Sequence, residues 1–142
     1  MFENILGTDN RHIDNKYRMI LPKFAGSKVG EKLVLILKED YLEIKELNVV
    51  LEELKELRLF LKSTTTIEMV NLYQEKIDEI TSCIGNIVEP DKQNRITLGK
   101  EIVTKYNLTN GIKTEGVLDG LRVWNFHKFQ EYQEKISKNS RK

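Results

Sequence analysis

Two stretches of this chain can be laid over one another. A shift of 77 positions carries Asp14 onto Asp91, Arg18 onto Arg95, Leu21 onto Leu98 and Lys23 onto Lys100, and it pairs Met19 with Ile96. A shift of 79 carries Asp40 onto Asp119, Leu42 onto Leu121 and Ile44 onto Val123. The two-residue difference fits a slightly longer connection in the second half. Each half reads as strand–turn–strand, short helix, hairpin, longer helix. A unit of about 45 residues sits near the lower limit for independent folding, where pairing with another copy is usually needed. Two copies in one chain supply that partner. The expected product is a pseudo-twofold domain with interleaved halves.

Local patterns fill in the elements. Residues 10–21 alternate between apolar and polar, which suggests a strand–turn–strand. Pro22 opens a short helix over residues 22–29, closed by Gly30. The apolar stretches 33–37 and 41–44 flank Lys38-Glu39-Asp40 and suit a hairpin. Leu47, Val50, Leu51, Leu54, Leu57 and Leu61 recur at spacings of three and four, an amphipathic helix over 47–61. A second helix over 67–82 has the same kind of stripe, and Thr65 or Thr66 caps it; Thr65 with Glu68 has capping-box spacing. The two helices read as a packed antiparallel pair. Strand character returns over 84–98, with a short helix over 99–106 and a turn at Asn110-Gly111. A hairpin follows over 112–118 and 121–125, with Asp119-Gly120 as its turn signal. The last helix spans 126–137, with Phe126, Phe129 and Tyr132 or Gln133 toward the core. The tail, KNSRK, is expected to fray.

Composition excludes several classes. The longest uninterrupted aliphatic run is Leu33 to Leu37, far short of the roughly 20 residues that span a bilayer. The N-terminus has no basic start followed by an apolar stretch, so no secretory signal is expected. A single Cys83 rules out an intrachain disulfide framework or a cysteine-rich zinc module and fits a cytoplasmic setting. His12, His127 and Cys83 show no metal-ligand spacing, so no metal and no cofactor are expected. No histidine neighbours Ser63 or the threonines, so nucleophilic catalysis has no support and the chain is read as a non-enzyme.

The net charge is +1, but it is unevenly spread. Residues 1–30 balance at +2, residues 31–88 at −5 and residues 89–142 at +4. Two basic flanks enclose an acidic middle, which lets the flanks hold a polyanion while the middle stays away from it.

The repeated element is D-x-x-x-R, Asp14 to Arg18 and Asp91 to Arg95. One carboxylate in such a turn accepts hydrogen bonds from the turn and from the guanidinium. The Asp then holds the Arg, and the Arg presents its remaining donors outward. That planar fork suits phosphate oxygens or the O6/N7 edge of guanine. Lys16, Lys23, Lys92 and Lys100 lie close by and supply phosphate contacts. Two such devices about a pseudo-twofold suit a duplex, whose backbones are themselves related by local twofold axes. The alternative is that each pair is only a structural salt bridge.

HIDNKYRMILPKF and EPDKQNRITLGKEI, followed by L-x-x-G-I-x-T-E-G-V-L-D-G-L-R-V-W-N, resemble the MraZ family of bacterial transcription regulators of the division and cell-wall gene cluster. Met1-Phe2 and Trp124 at the end of the second hairpin extend the resemblance, which covers about residues 1–133. It implies a mixed α/β fold of two tandem AbrB-like β-α-β swapped-hairpin halves. These would form a pseudo-twofold, β-barrel-like core with flanking helices. The halves would be residues 1–62 and 84–142, joined by a helical connection over 63–83. The resemblance also implies a sequence-specific DNA-binding repressor on promoter direct repeats. Its partners would be double-stranded promoter DNA and itself, in a ring-like octamer, with no membrane. Its location would be cytoplasmic and nucleoid-associated.

The DNA-binding residues so implied and proposed are Asp14, Lys16, Tyr17, Arg18, Lys23, Asp91, Lys92, Arg95 and Lys100. Tyr17 and Asn94 stand where the family usually has Gly before the motif Arg. The first loop is therefore either reshaped or brings Tyr17 itself to the DNA. The rival readings are an AbrB-like antitoxin-type module and a structural oligomer without specific DNA binding.

Overall fold

The computed structural model describes residues 7–22, 31–109 and 111–140 of the 142. Met1-Phe2, Lys23, the expected helix after Pro22, Asn110 and the last two residues lie outside that description. The fold is mixed α/β. Its strands are β1 (Gly7–Arg11), β2 (Arg18–Ile20), β3 (Leu33–Leu37), β4 (Leu42–Glu46), β5 (Ile84–Val88), β6 (Arg95–Thr97), β7 (Ile112–Val117) and β8 (Gly120–Asn125). The helices among the described residues are α1 (Leu47–Ser63), α2 (Ile67–Ser82), α3 (Lys100–Lys105) and α4 (Phe126–Ser140).

Six strands form one antiparallel sheet in the order β1-β7-β8-β4-β3-β5, and β2 pairs with β6 in a separate ribbon. The repeat equates β1 with β5, β3 with β7 and β4 with β8. Exchanging each strand for its equivalent leaves this order unchanged, and it leaves the β2–β6 ladder unchanged too. At the seam β4 meets β8 through Leu42↔Val123, Glu43↔Arg122 and Ile44↔Leu121. The symmetry breaks at β5, where the register on β3 shifts between Leu35 and Ile36.

The period of two along β3 explains its unbroken apolar run. Leu33 and Leu35 enter the main core, while Val34 and Ile36 enter a second cluster on the opposite face. The main core joins Met19, Leu21, Leu42 and Ile44 of the first half to Ile96, Ile102, Val103, Leu108, Leu121 and Val123 of the second. The β2–β6 ribbon and α3 cover this face. The other face is covered at one end by α1 through Val50, and at the other by α4, whose Phe129 meets Trp124 edge-on at 5.8 Å. A barrel-like closure is not found among the described residues. The sheet ends at β1 and β5, and the ribbon lies over its face instead of joining its edges.

Several local expectations are adjusted. The second hairpin turns at Leu118-Asp119, with Val117 paired to Gly120. Thr66, not Thr65, caps α2, its Oγ1 accepting from Met69 N–H at 3.4 Å. Helix α4 continues through the start of the tail to Ser140. Phe126 is exposed rather than in the core, because Asn125 ends β8 and caps α4 by accepting from the N–H groups of His127 and Lys128. The α1–α2 pair forms, but Val50 is its one fully buried residue.

Candidate nucleic-acid interface

The two D-x-x-x-R segments fold into the same loop. Asp14 Oδ1 accepts from the N–H of Lys16 at 2.9 Å and of Arg18 at 3.0 Å, and Asp14 Oδ2 accepts from Arg18 Nε at 2.8 Å. Asp91 Oδ1 accepts from Gln93 N–H and Arg95 N–H, both at 2.9 Å, and its Oδ2 accepts from Arg95 Nε at 2.8 Å. The backbone closes each loop twice. Asp14 N–H donates to Arg18 O and Tyr17 N–H to Asp14 O; Asp91 N–H donates to Arg95 O and Asn94 N–H to Asp91 O. Each carboxylate thus satisfies two backbone donors and one face of a guanidinium. The N–H of Arg18, then that of Lys16 and the Arg18 guanidinium, hold the Asp14 carboxyl below its ordinary value, and the N–H and guanidinium of Arg95 do the same for Asp91.

Closing so tight a loop before a strand needs one residue in left-handed geometry. Tyr17 takes it at φ 60° and Asn94 at φ 61°. The first loop is therefore not reshaped by Tyr17, since its bonds and its φ match those of the second. Tyr17 is half-buried, packed against the main core. That packing compensates for a conformation that a bulky side chain adopts at some cost.

The ribbon brings both loops together. Leu21 N–H donates to Asn94 O at 2.8 Å, and Leu98 N–H donates to Tyr17 O at 2.9 Å. Each loop is stitched to the strand end of the other across a ladder of three residue pairs, Arg18↔Thr97, Met19↔Ile96 and Ile20↔Arg95. Met19 and Ile96 point into the core, so alternation places Arg18, Ile20, Arg95 and Thr97 on the opposite, outer face. Arg18 and Arg95 commit only Nε; among the described residues their terminal amino groups make no hydrogen bond.

Lys16 and Lys92 lie exposed on the loops and Lys100 is exposed at the start of α3. Of the nine candidate residues, the structure brings eight to this ribbon and its flanks, while Lys23 lies outside the described residues. Ile20, half-exposed, and Thr97 share the arginine face and were absent from the sequence candidates. The signal for them was present, since residue i+2 of a strand shares the face of residue i. Their chemistry also fits a base edge, because an apolar or threonine side chain contacts a thymine methyl group.

Among the described residues no group of three or more His, Cys, Asp or Glu is placed to hold a metal ion, and no helix is long and apolar enough to cross a membrane. No curated protein matches the chain. Residues 86–142, which hold the second loop, the second hairpin and α4, match the family described as "MraZ protein, putative antitoxin-like", and on that match the chain is consistent with an MraZ-family protein.

Proposed function

We propose that the chain is a transcription regulator that binds promoter DNA sequence-specifically through the paired D-x-x-x-R loops and acts as a repressor. The observation that carries the reading is the duplication of one arginine-presenting loop at both ends of a three-pair ribbon. A salt bridge kept only for stability has no need of two guanidinium groups on one outer face whose terminal amino groups are left over. Arg18 and Arg95 then read base edges or phosphates. Lys16, Lys92 and Lys100 neutralise phosphates, with Lys23 as a further member. Asp14 and Asp91 position the arginines, and Tyr17 supports its loop from the core side. The family match supports a regulator-like role.

The finer picture follows the resemblance. The tandem halves are AbrB-like swapped hairpins, divided at 1–62 and 84–142 around the connection at 63–83. The protein works in the cytoplasm on the nucleoid, as a ring-like oligomer on direct repeats. With a net charge of only +1, affinity gathers from several weak contacts held at high effective concentration.

The test is retention of the gene's own upstream DNA against a scrambled duplex at two salt concentrations. Wild type is expected to prefer the upstream DNA and to weaken steeply with salt. Arg18→Ala and Arg95→Ala are each expected to lose about 1–3 kcal/mol of discrimination, the range for a bidentate base contact. A contact to phosphate would instead lower the salt slope by about 0.9. Equal retention of both duplexes, unchanged in both variants, would overturn the reading.

A further inference from the structure

The outer face of the β2–β6 ribbon carries Arg18 and Ile20 from one strand and Arg95 and Thr97 from the other. The shift of 77 that superposes the halves carries Arg18 onto Arg95 and Ile20 onto Thr97. The two arginines are equivalent, each held through Nε by its own aspartate, but the residues beside them are not. In the ladder Arg18 stands opposite Thr97, and Arg95 stands opposite Ile20. Side chains directly opposite one another on one face have Cβ atoms about 4.5–5.5 Å apart. Each guanidinium therefore has one immediate cross-strand neighbour, an isoleucine at one end of the ribbon and a threonine at the other.

A single exposed isoleucine is ordinary on a protein surface. What distinguishes Ile20 is its place, directly opposite one arginine and two positions along the strand from the other. The major groove of a duplex is about 12 Å wide and admits a two-stranded ribbon, and of the base edges there only thymine presents a methyl group. Bases rise about 3.4 Å per step, so an arginine bonded to one base leaves its cross-strand neighbour over the next base pair. The two neighbours then meet that base differently. Thr97 has a hydroxyl that both donates and accepts, besides a methyl group, and so satisfies any base edge. Ile20 has neither donor nor acceptor. Pressed against an amino group or a carbonyl it strips water and returns no hydrogen bond; pressed against a thymine methyl it buries apolar surface.

We propose that Ile20 is a specificity-determining residue, which selects thymine at the base pair beside the one Arg95 contacts, while Thr97 leaves the corresponding position beside Arg18 permissive. The inference rests on the proposed DNA reading and deepens it. It also gives the ribbon a direction. Two equivalent arginines about a pseudo-twofold accept a site equally well in either orientation. Ile20 at one end against Thr97 at the other removes that equivalence, so the ribbon sits on its site one way round.

The test uses the full-length protein and the gene's own upstream duplex, with thymines replaced one at a time by deoxyuridine. That change removes the C5 methyl group and keeps every hydrogen-bonding group of the base. In wild type one thymine of each bound site is expected to be sensitive, with a loss of about fourfold in affinity, the worth of one buried methyl-sized group. Ile20→Ser is expected to bind the thymine and deoxyuridine duplexes equally. Thr97→Ser is expected to keep the fourfold ratio, whatever it does to overall affinity. At the sensitive position wild type is also expected to prefer thymine to each other base by about fivefold or more, the lower end for a mismatched base pair, and Ile20→Ser to lose that preference.

Ile20 and Thr97 are both exposed, so each variant is expected to keep the wild-type circular dichroism, and the deoxyuridine scan of wild type needs no variant at all. A wild type indifferent to every deoxyuridine, a methyl dependence that survives Ile20→Ser, or one abolished by Thr97→Ser overturns the inference and leaves the regulator reading standing. A wild type that retains upstream and scrambled duplexes equally, unchanged in Arg18→Ala and Arg95→Ala, removes that reading and this inference with it.

Discussion

At the scale of single residues, the loop aspartates couple the stability of their loops to acid. Each carboxyl titrates below its ordinary value of 3.8 in the fold, chiefly because the N–H of the motif arginine, with the loop N–H and guanidinium donors behind it, favours the charged form. Between the folded and unfolded values the unfolded chain binds more protons. The loops' contribution to stability is therefore complete above pH 3.8 and is lost as pH falls through the lower folded value. Urea midpoints followed across this window should fall with pH in wild type and fall less steeply in the Asp14→Asn, Asp91→Asn double variant; parallel curves would contradict the assignment. The left-handed residue gives a second check. Asn94→Val places a β-branched side chain at φ 61° and is expected to cost about 2 kcal/mol, whereas Asn94→Gly should stay within about 1 kcal/mol of wild type. Equal denaturant midpoints for the two would show that the loop relaxes its φ.

Two contacts between elements hold the layers in register. Gly120 begins β8 beside β4, and a Cβ there would stand 2.8 Å from Ile44 O. The backbone cannot give way without disturbing the seam between the halves. Gly120→Ala is expected to destabilise by about 1–3 kcal/mol, as overpacking does, and a midpoint like that of wild type would show the seam to be loose. Tyr106, just after α3, donates its hydroxyl to Lys38 O at 2.6 Å and so ties that helix to the first hairpin turn. Burial pushes its phenol up to about 12. The folded state thus keeps a proton that the unfolded state releases near pH 10, and stability falls as pH rises from there toward the folded value. Tyr106→Phe should cost about 1–2 kcal/mol at neutral pH and make this alkaline decline shallower; an unchanged decline would place its source elsewhere.

For the whole molecule, the main core draws on both halves, and β1 and β5 each pair with a strand of the other half. Neither half keeps its sheet or its core without the other. A single cooperative unfolding transition is expected, with circular dichroism and tryptophan fluorescence coinciding. A peptide of residues 84–142 alone is expected to lack monomeric native structure, folding only if it pairs with itself. A folded monomer of that segment, or two separate transitions, would show the halves to be independent.

Much of the secondary structure was legible because its cause is local. The 67–82 helix, the strands around both turns and the two D-x-x-x-R loops follow from apolar period, turn residues and the reach of one carboxylate to its own backbone. The repeat also carried its consequence, since a unit that small needs its copy. What the sequence alone left open was decided by distant neighbours. The apolar stripe of α2 was legible, but its exposure was not, because a stripe does not say whether anything covers it. Phe126 looked like a core residue until the Asn125 cap set the direction of α4. Ile20 and Thr97 joined the arginine face only once β2 and β6 were paired. The barrel-like closure did not form because the ribbon lies over one sheet face. Spacing along a chain determines which residues share a face; which face meets which is settled by pairing and packing across the whole fold.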